Sequence, residues 1–244
     1  MTETVQLFVT CILDTIHPEI GEAVVQVLER AGSTVEFQPG QTCCGQPAFN
    51  AGLLAEARKM AKHTIKVFEE TSGPLVVPSG SCAAMIRYNY PALFKDDKKW
   101  LSKAQALADR TFEFTEYVVD HQGVEDLGAR FPSKVTYHSS CHLFREMGID
   151  RQPRLLLTNV RDLEFVELAE TTDCCGFGGV FSVEHPEIST EMMKRKIANI
   201  ENSGASFVVT CDAGCMMNIN GGLHRMGKPQ RAVHIAQILA KLGK

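Results

Sequence analysis

QTCCGQPAFN (residues 41–50) and TDCCGFGGVF (residues 172–181) contain the same Cys-Cys-Gly triplet, and the two triplets are 131 residues apart. A triplet that recurs this far along a chain indicates an internal duplication. A duplication decides the fold, because each copy has to build the same strands and helices around its own triplet. The chain has 244 residues, enough for two units of about 120 residues each.

Two further pairs of cysteines repeat at nearly the same spacing. Cys11 matches Cys141 at an offset of 130 residues, and Cys82 matches Cys215 at an offset of 133. The offset hardly drifts along the chain, so chance is a poor explanation for the repetition. The ninth cysteine, Cys211, has no cysteine counterpart in the first copy, where Pro78 or Ser79 lies near the matching position.

The predicted repeats are residues 1–125, with four cysteines, and residues 131–244, with five. Gly, Pro and Ser cluster at residues 126–133, where we expect the two to join. Short apolar runs alternate with helical patterns in both repeats. The predicted strands are 5–10, 35–37, 75–77, 135–137, 163–168 and 207–209, and the longer predicted helices are 18–30, 52–70 and 186–202. This alternation predicts an α/β fold of two pseudo-symmetric, Rossmann-like repeats with mainly parallel sheets.

The composition excludes several classes of protein. Hydrophobic residues make up 44% of the chain, which is typical of a globular core. A formal net charge of −4 gives no basic surface for nucleic acid. No apolar run reaches about 18 residues, so we expect no membrane span. The N-terminal residues do not resemble a secretory signal, which predicts a cytoplasmic protein. Nine cysteines in a reducing compartment point to metal or redox chemistry rather than to structural disulfides.

The cysteines fall in loops that follow predicted strands, where α/β folds usually bind ligands. A single buried cysteine is often only a small apolar residue, but this does not account for nine at repeated positions. Zinc is an alternative, although the diverging side chains of a Cys-Cys pair serve one tetrahedral ion poorly. An iron–sulfur cluster is larger, so adjacent thiolates can bind different irons. His138 and His142 flank Cys141 and are candidates to hydrogen-bond a sulfur or to relay a proton.

The two copies of C-x₃₁₋₃₉-CCG-x₃₅₋₃₉-C-x₂₋₃-C resemble the cysteine-rich CCG domain family. That family includes the catalytic B subunit of heterodisulfide reductase and the iron–sulfur subunits of glycolate oxidase and anaerobic glycerol-3-phosphate dehydrogenase. The details are most similar to its short lactate-utilisation branch, which has no N-terminal ferredoxin cysteines. The segments that carry the resemblance are TCILD (10–14), QTCCGQPAFNAG (41–52), VVPSGSCAAM (76–85), SSCHLFREMG (139–148), CCGFGGVFSVEHPEIS (174–189) and CDAGCMMNI (211–219).

The resemblance implies iron–sulfur binding, because a complete motif in the heterodisulfide reductase relatives holds a noncubane [4Fe–4S] cluster through five cysteines. The implied ligands in the second repeat are Cys141, Cys174, Cys175, Cys211 and Cys215. The implied ligands of a second, less secure site in the first repeat are Cys11, Cys43, Cys44 and Cys82. We therefore expect one or two clusters per chain.

The resemblance also implies a function. The chain would be an iron–sulfur redox component of a multi-protein system that oxidises L-lactate to pyruvate, and it would act together with partners. The implied partners are a ferredoxin-like iron–sulfur protein and a smaller third component. Two alternatives stay open, namely a disulfide reductase similar to heterodisulfide reductase and a zinc-stapled scaffold without enzymatic activity.

Overall fold

The alternation of strands and helices is confirmed in the computed structural model, which describes residues 2–242. The first half contains β1 (Glu3–Leu7), α1 (Cys11–Thr15), α2 (Pro18–Arg30), β2 (Ser33–Phe37), α3 (Gln46–Asn50), α4 (Leu54–Phe68), β3 (Leu75–Val77), α5 (Gly80–Ala84), a π-helical segment (Met85–Asn89), α6 (Tyr90–Leu93), α7 (Lys98–Ala108), β4 (Thr111–Glu113), α8 (Phe114–Glu116) and a second π-helical segment (Tyr117–His121). The second half contains β5 (Arg130–Tyr137), α9 (Cys141–Arg145), α10 (Arg151–Thr158), β6 (Arg161–Phe165), α11 (Phe181–Glu184), α12 (Pro186–Ser203), β7 (Phe207–Thr210), α13 (Ala213–Arg225), β8 (Arg231–His234) and α14 (Ile235–Leu239).

Each half builds one four-stranded parallel sheet, and the two sheets have the same strand order. The order is β2-β1-β3-β4 in the first and β6-β5-β7-β8 in the second. Parallel strands are joined by helical crossovers that cover both faces of the sheet, so their central strands are apolar throughout. The three residues of β3, Leu75–Val77, are accordingly all buried. The predicted α/β class with two similar halves is confirmed.

The long helices follow signals that are present in the sequence. Proline at the first position favours a helix start, and both α2 and α12 begin with proline. A left-handed glycine favours a helix end, and Gly204 ends α12 with φ 66°. The apolar face of α2 is buried at the helical period by Ile20, Ala23, Val24, Val27 and Leu28.

Several boundaries differ from those expected. The strand predicted over 5–10 lies at Glu3–Leu7. The helix predicted over 52–70 begins at Leu54, because Gly52 has φ 74° and cannot lie within a right-handed helix. The strand predicted over 135–137 starts earlier, at Arg130, since β5 pairs with β6 from that residue across a register shift. The expected join at 126–133 therefore overlaps the first residues of β5. The strand predicted over 163–168 lies at 161–165.

The two halves share one hydrophobic core. Val5 and Val76 of the first sheet and Val135 and Val209 of the second belong to the same buried cluster. Helix α14, near the end of the chain, packs on α2 of the first half. The halves are therefore repeats in sequence that pack as one body.

A close helix contact joins the halves beside the cysteine loops. Gly80 of α5 lies against Leu143 of α9, and a Cβ placed on Gly80 would be only 2.6 Å from the Cβ of Leu143. Leu143 is fully buried and cannot move aside. The glycine is thus required by the approach of the two helices.

No helix within residues 2–242 combines the length and the hydropathy that a bilayer crossing requires.

We predict that Gly80→Ala lowers the free energy of unfolding by about 1–3 kcal/mol, the usual cost of overpacking. The matched control is Gly21→Ala in α2, where an added Cβ meets no atom within 4 Å. That change should leave stability unchanged or raise it by up to about 1 kcal/mol, since alanine is the better helix former. Urea denaturation followed by circular dichroism measures both. Equal changes in the free energy of unfolding for the two substitutions would contradict the close contact between Gly80 and Leu143.

Candidate metal centre

Three adjacent strands of the first sheet bring four cysteines together. Cys11 begins α1 after β1, Cys43 and Cys44 follow β2, and Cys82 lies in α5 after β3. The carboxyl ends of parallel strands meet at one edge of a sheet, so three separate loops converge there. We call Cys11, Cys43, Cys44 and Cys82 the first quartet.

The second sheet repeats this arrangement. Cys141 begins α9 after β5, Cys174 and Cys175 follow β6, and Cys215 lies in α13 after β7. We call these four residues the second quartet.

Sulfur atoms lie close together within each quartet. In the first, the Sγ atoms of Cys44 and Cys82 are 3.2 Å apart. In the second, the Sγ atoms of the equivalent pair, Cys175 and Cys215, lie within 4.8 Å of each other. None of the nine cysteines forms a disulfide.

These contacts make the first cysteine of each adjacent pair the more acidic one. The hydrogen bond from Cys11 lowers the pKa of Cys43 to about 3, and the hydrogen bond from Cys141 lowers the pKa of Cys174 to about 2. The hydrogen bond to Cys43 in turn raises the pKa of the buried Cys44 thiol. Each quartet therefore presents a thiolate, which is the form of cysteine that binds metal.

The glycine that follows each pair has two structural roles. The N–H of Gly176 donates to the Sγ of Cys174 at 3.3 Å, and the N–H of Gly45 likewise lowers the pKa of Cys43. Both glycines are left-handed, with φ 88° at Gly45 and 85° at Gly176. A Cβ on Gly176 would also lie 2.8 Å from the backbone oxygen of Ser189 in α12. Turn conformation and close packing thus both require glycine after the pair.

The two quartets line a single cavity between the halves. Its volume is about 90 Å³, and all eight thiols of the quartets lie in its wall. Phe177, Gly178 and Gly179 of the second triplet's loop also line it. A Cβ on Gly179 would lie 3.8 Å from Pro47, so this loop reaches the first triplet's loop across the cavity.

Cys211 lies apart from the other cysteines. Cys211 is absent from the described residues that line the cavity. Its Sγ lies in the shared core, 3.7 Å from the hydroxyl of Tyr137. It is fully buried, and burial raises the pKa of its thiol. Ser79 and Asp212 cap α5 and α13 respectively, so Pro78 is the residue that corresponds to Cys211.

A buried carboxylate connects the helices that carry the last cysteine of each quartet. Asp212 caps α13 by accepting a hydrogen bond from the N–H of Gly214 at 3.0 Å. Its other oxygen accepts from the Oγ of Ser79 at 2.9 Å and from the N–H of Ser81 at 3.1 Å, both in the other half. The sequence holds a signal for this link that the cysteine motifs did not reveal. Ser79 and Asp212 each lie three residues before a cysteine of the repeat, Cys82 or Cys215.

The two histidines near Cys141 have different surroundings. The Nδ1 of His142 lies 3.5 Å from the Sγ of Cys141, and its Nε2 lies 3.5 Å from Glu146. His138 is fully buried beside Cys175 and Cys215, and neither of its ring nitrogens has a hydrogen-bond partner. Both histidines are thus close enough to a sulfur to influence a metal bound there.

The donor atoms fit a thiolate-bound metal group. Soft thiolates select zinc, copper(I) and iron–sulfur clusters, and here eight cysteines that can supply them face one cavity. His138 adds an imidazole whose two ring nitrogens have no hydrogen-bond partner in the described structure. The residues present therefore suit an iron–sulfur cluster in each quartet, with the quartet cysteines as its ligands.

Comparison with known proteins gives matches over both halves. The model of the CCG cysteine-rich domain matches twice, at residues 5–87 and 135–220. Lactate utilization protein A of an Exiguobacterium species is 49% identical over 236 residues, which is 96% of each chain. Lactate utilization protein A of Bacillus pumilus is 48% identical, over 96% of this chain and 98% of its own.

A solved structure supports the fold independently. The crystal structure of a hypothetical protein from Helicobacter pylori aligns with 98% of this chain at a TM-score of 0.70 and 10% sequence identity. This chain spans about half of that protein, 48% of its length, and the likeness concerns the fold alone. The double family match and the near-full-length relatives confirm the resemblance inferred from the motifs, and the chain belongs to the cysteine-rich CCG domain family, within its branch of lactate utilization A proteins.

Proposed function

We propose that this chain is an iron–sulfur redox component of a multi-protein system that oxidises L-lactate to pyruvate. The observation that carries the proposal is the pair of thiol quartets facing one cavity. Four thiolates are a usual ligand set for an iron–sulfur cluster. Such a cluster supplies one-electron transfer. The noncubane [4Fe–4S] type that the family motif implies uses five cysteines.

The lactate part of the proposal rests on the relatives, which are named for lactate utilisation and are similar over nearly their whole length. Oxidation of lactate to pyruvate releases two electrons and two protons. Two centres in one chain suit the uptake of two electrons one at a time. We propose a ferredoxin-like iron–sulfur protein and a smaller third component as the partners that complete the system.

The residues that would hold the clusters are those of the two quartets. Cys211 is the exception among the ligands implied by the sequence, because it lies in the core and not in the cavity wall. We propose four cysteine ligands in each half, with Cys211 serving the packing around Tyr137. The five-cysteine set implied by the family motif is the competing arrangement for the second half.

A second candidate function is reduction of a small disulfide, as in the heterodisulfide reductase relatives. The observation that favours it is the cavity next to Cys174 and Cys175, where a disulfide would be within reach of sulfur-bound metal. Reduction of one disulfide consumes two electrons and two protons and yields two thiols. The electrons would come from an external reductant such as a reduced dye.

We predict that the protein purified without oxygen contains iron and acid-labile sulfide. Cys44→Ser and Cys175→Ser should each remove about half of the iron, because each breaks one quartet, and the double variant should remove nearly all of it. Iron and sulfide assays with EPR of the reduced protein provide the measurement. Zinc in place of iron and sulfide would contradict the redox proposal and support the scaffold alternative.

The matched control for these variants is Cys211→Ala, which removes a buried thiol outside the cavity. We expect this variant to retain the iron content of the unmodified protein. Its free energy of unfolding should fall modestly, because the substitution truncates a small side chain in the core. Loss of the second half's iron in this folded variant would instead favour the five-cysteine set.

We predict that lactate-dependent reduction of a dye requires this chain together with its partners and is abolished by Cys175→Ser. The same protein should not turn over small disulfides with a reduced dye. Rapid turnover of a disulfide by this chain alone, with no contribution to lactate oxidation, would reverse the order of the two candidate functions.

A further inference from the structure

His138 occupies an unusual position for a histidine. It follows β5 directly, its side chain is fully buried, and neither ring nitrogen has a hydrogen-bond partner. Burying an unsatisfied polar group is destabilising, so packing alone gives no reason to keep an imidazole here. A binding partner that is added to the folded chain would remove this cost.

The position of the ring identifies the class of partner. A ring nitrogen of His138 and the Sγ atoms of Cys175 and Cys215 all lie within 4.8 Å of one another. Ligands bound to one metal at about 2.0–2.3 Å lie roughly 3.5 Å apart, so a small inward adjustment is enough to place all three around one ion. An imidazole nitrogen together with thiolates is a common ligand set for zinc and iron.

The first half provides an internal comparison. Phe8 precedes Cys11 by three residues, as His138 precedes Cys141. The backbone confirms the equivalence, because the N–H of Phe8 donates to Val76 at 3.0 Å and the N–H of His138 donates to Val209 at 2.9 Å. Phe8 is also fully buried and packs against another aromatic ring of its half. The same backbone position therefore carries an apolar phenyl ring in one half and an imidazole in the other.

We propose that His138 is a nitrogen ligand of the metal centre in the second quartet, beside Cys175 and Cys215. The two halves then hold chemically different centres, one bound by thiolates alone and one bound by thiolates and an imidazole. This inference rests on the proposed function, since it requires a metal centre in the second quartet.

The two centres are expected to differ in reduction potential. Histidine-ligated iron–sulfur centres have higher reduction potentials than centres bound only by cysteine, because neutral imidazole adds no negative charge. The second centre is therefore the better electron acceptor of the two. Electrons that enter the chain would pass to the centre in the second half. Electron transfer between the two halves would therefore have a preferred direction, although their folds are similar.

The test uses anaerobically purified full-length protein in which histidine is labelled with ¹⁵N. Pulsed EPR of the reduced protein should detect a directly bound ¹⁵N nucleus. The signal should be lost in His138→Phe, which gives the second half the residue of the first, and retained in the matched control His142→Phe. The midpoint potential of the second centre should fall in His138→Phe and stay unchanged in the control.

Absence of bound ¹⁵N from iron-containing, unmodified protein would overturn the inference without affecting the proposed function. Persistence of the signal in His138→Phe would also overturn it. If the protein contains no iron, the proposed function fails, and cobalt(II) titration then tests the ligand. The cobalt absorption bands should differ between the unmodified protein and His138→Phe, and identical spectra would overturn the inference.

Discussion

The carboxylate of Asp212 is the constraint on which the arrangement of both quartets depends. One of its oxygens caps α13, which carries Cys215, and the other accepts two hydrogen bonds from the start of α5, which carries Cys82. A buried carboxylate is costly unless its charge is met by donors, and here three donors from two halves meet it. The positive ends of the two helices contribute in the same direction. The carboxylate thus fixes the separation of the last cysteine in each quartet.

Much of the fold could be predicted because its signals are local. Proline at the start of α2 and α12, glycine after α12, and the apolar residues of β3 placed those elements within a residue or two. The near-constant offset between cysteines then predicted two copies of one plan. The convergence of the cysteine loops followed from the rule that parallel strands end at one edge, because each loop follows a strand.

What the sequence could not provide is the direction of individual side chains at the ends of strands. Cys211 and Asp212 are adjacent, yet one lies in the core and the other lines the cavity. A cysteine count cannot distinguish these positions, so the five-cysteine prediction included a residue that lies outside the cavity. Similarly, His138 and His142 both flank Cys141 in sequence, but only the structure reveals that His138 is buried and unpartnered. The approach of the two helices at Gly80 also joins residues that are far apart in the chain.

The shared core has a thermodynamic consequence for metal binding. Val5 and Val209 belong to one buried cluster, so neither half can unfold while the other keeps its full set of apolar contacts. A ligand that binds only the folded state raises the stability of the whole cooperative unit. Under the proposed function, metal bound in one quartet would stabilise the shared core and so protect the opposite quartet against opening. Loss of metal from one quartet would remove that stabilisation from both, which couples the two proposed centres through the folding equilibrium.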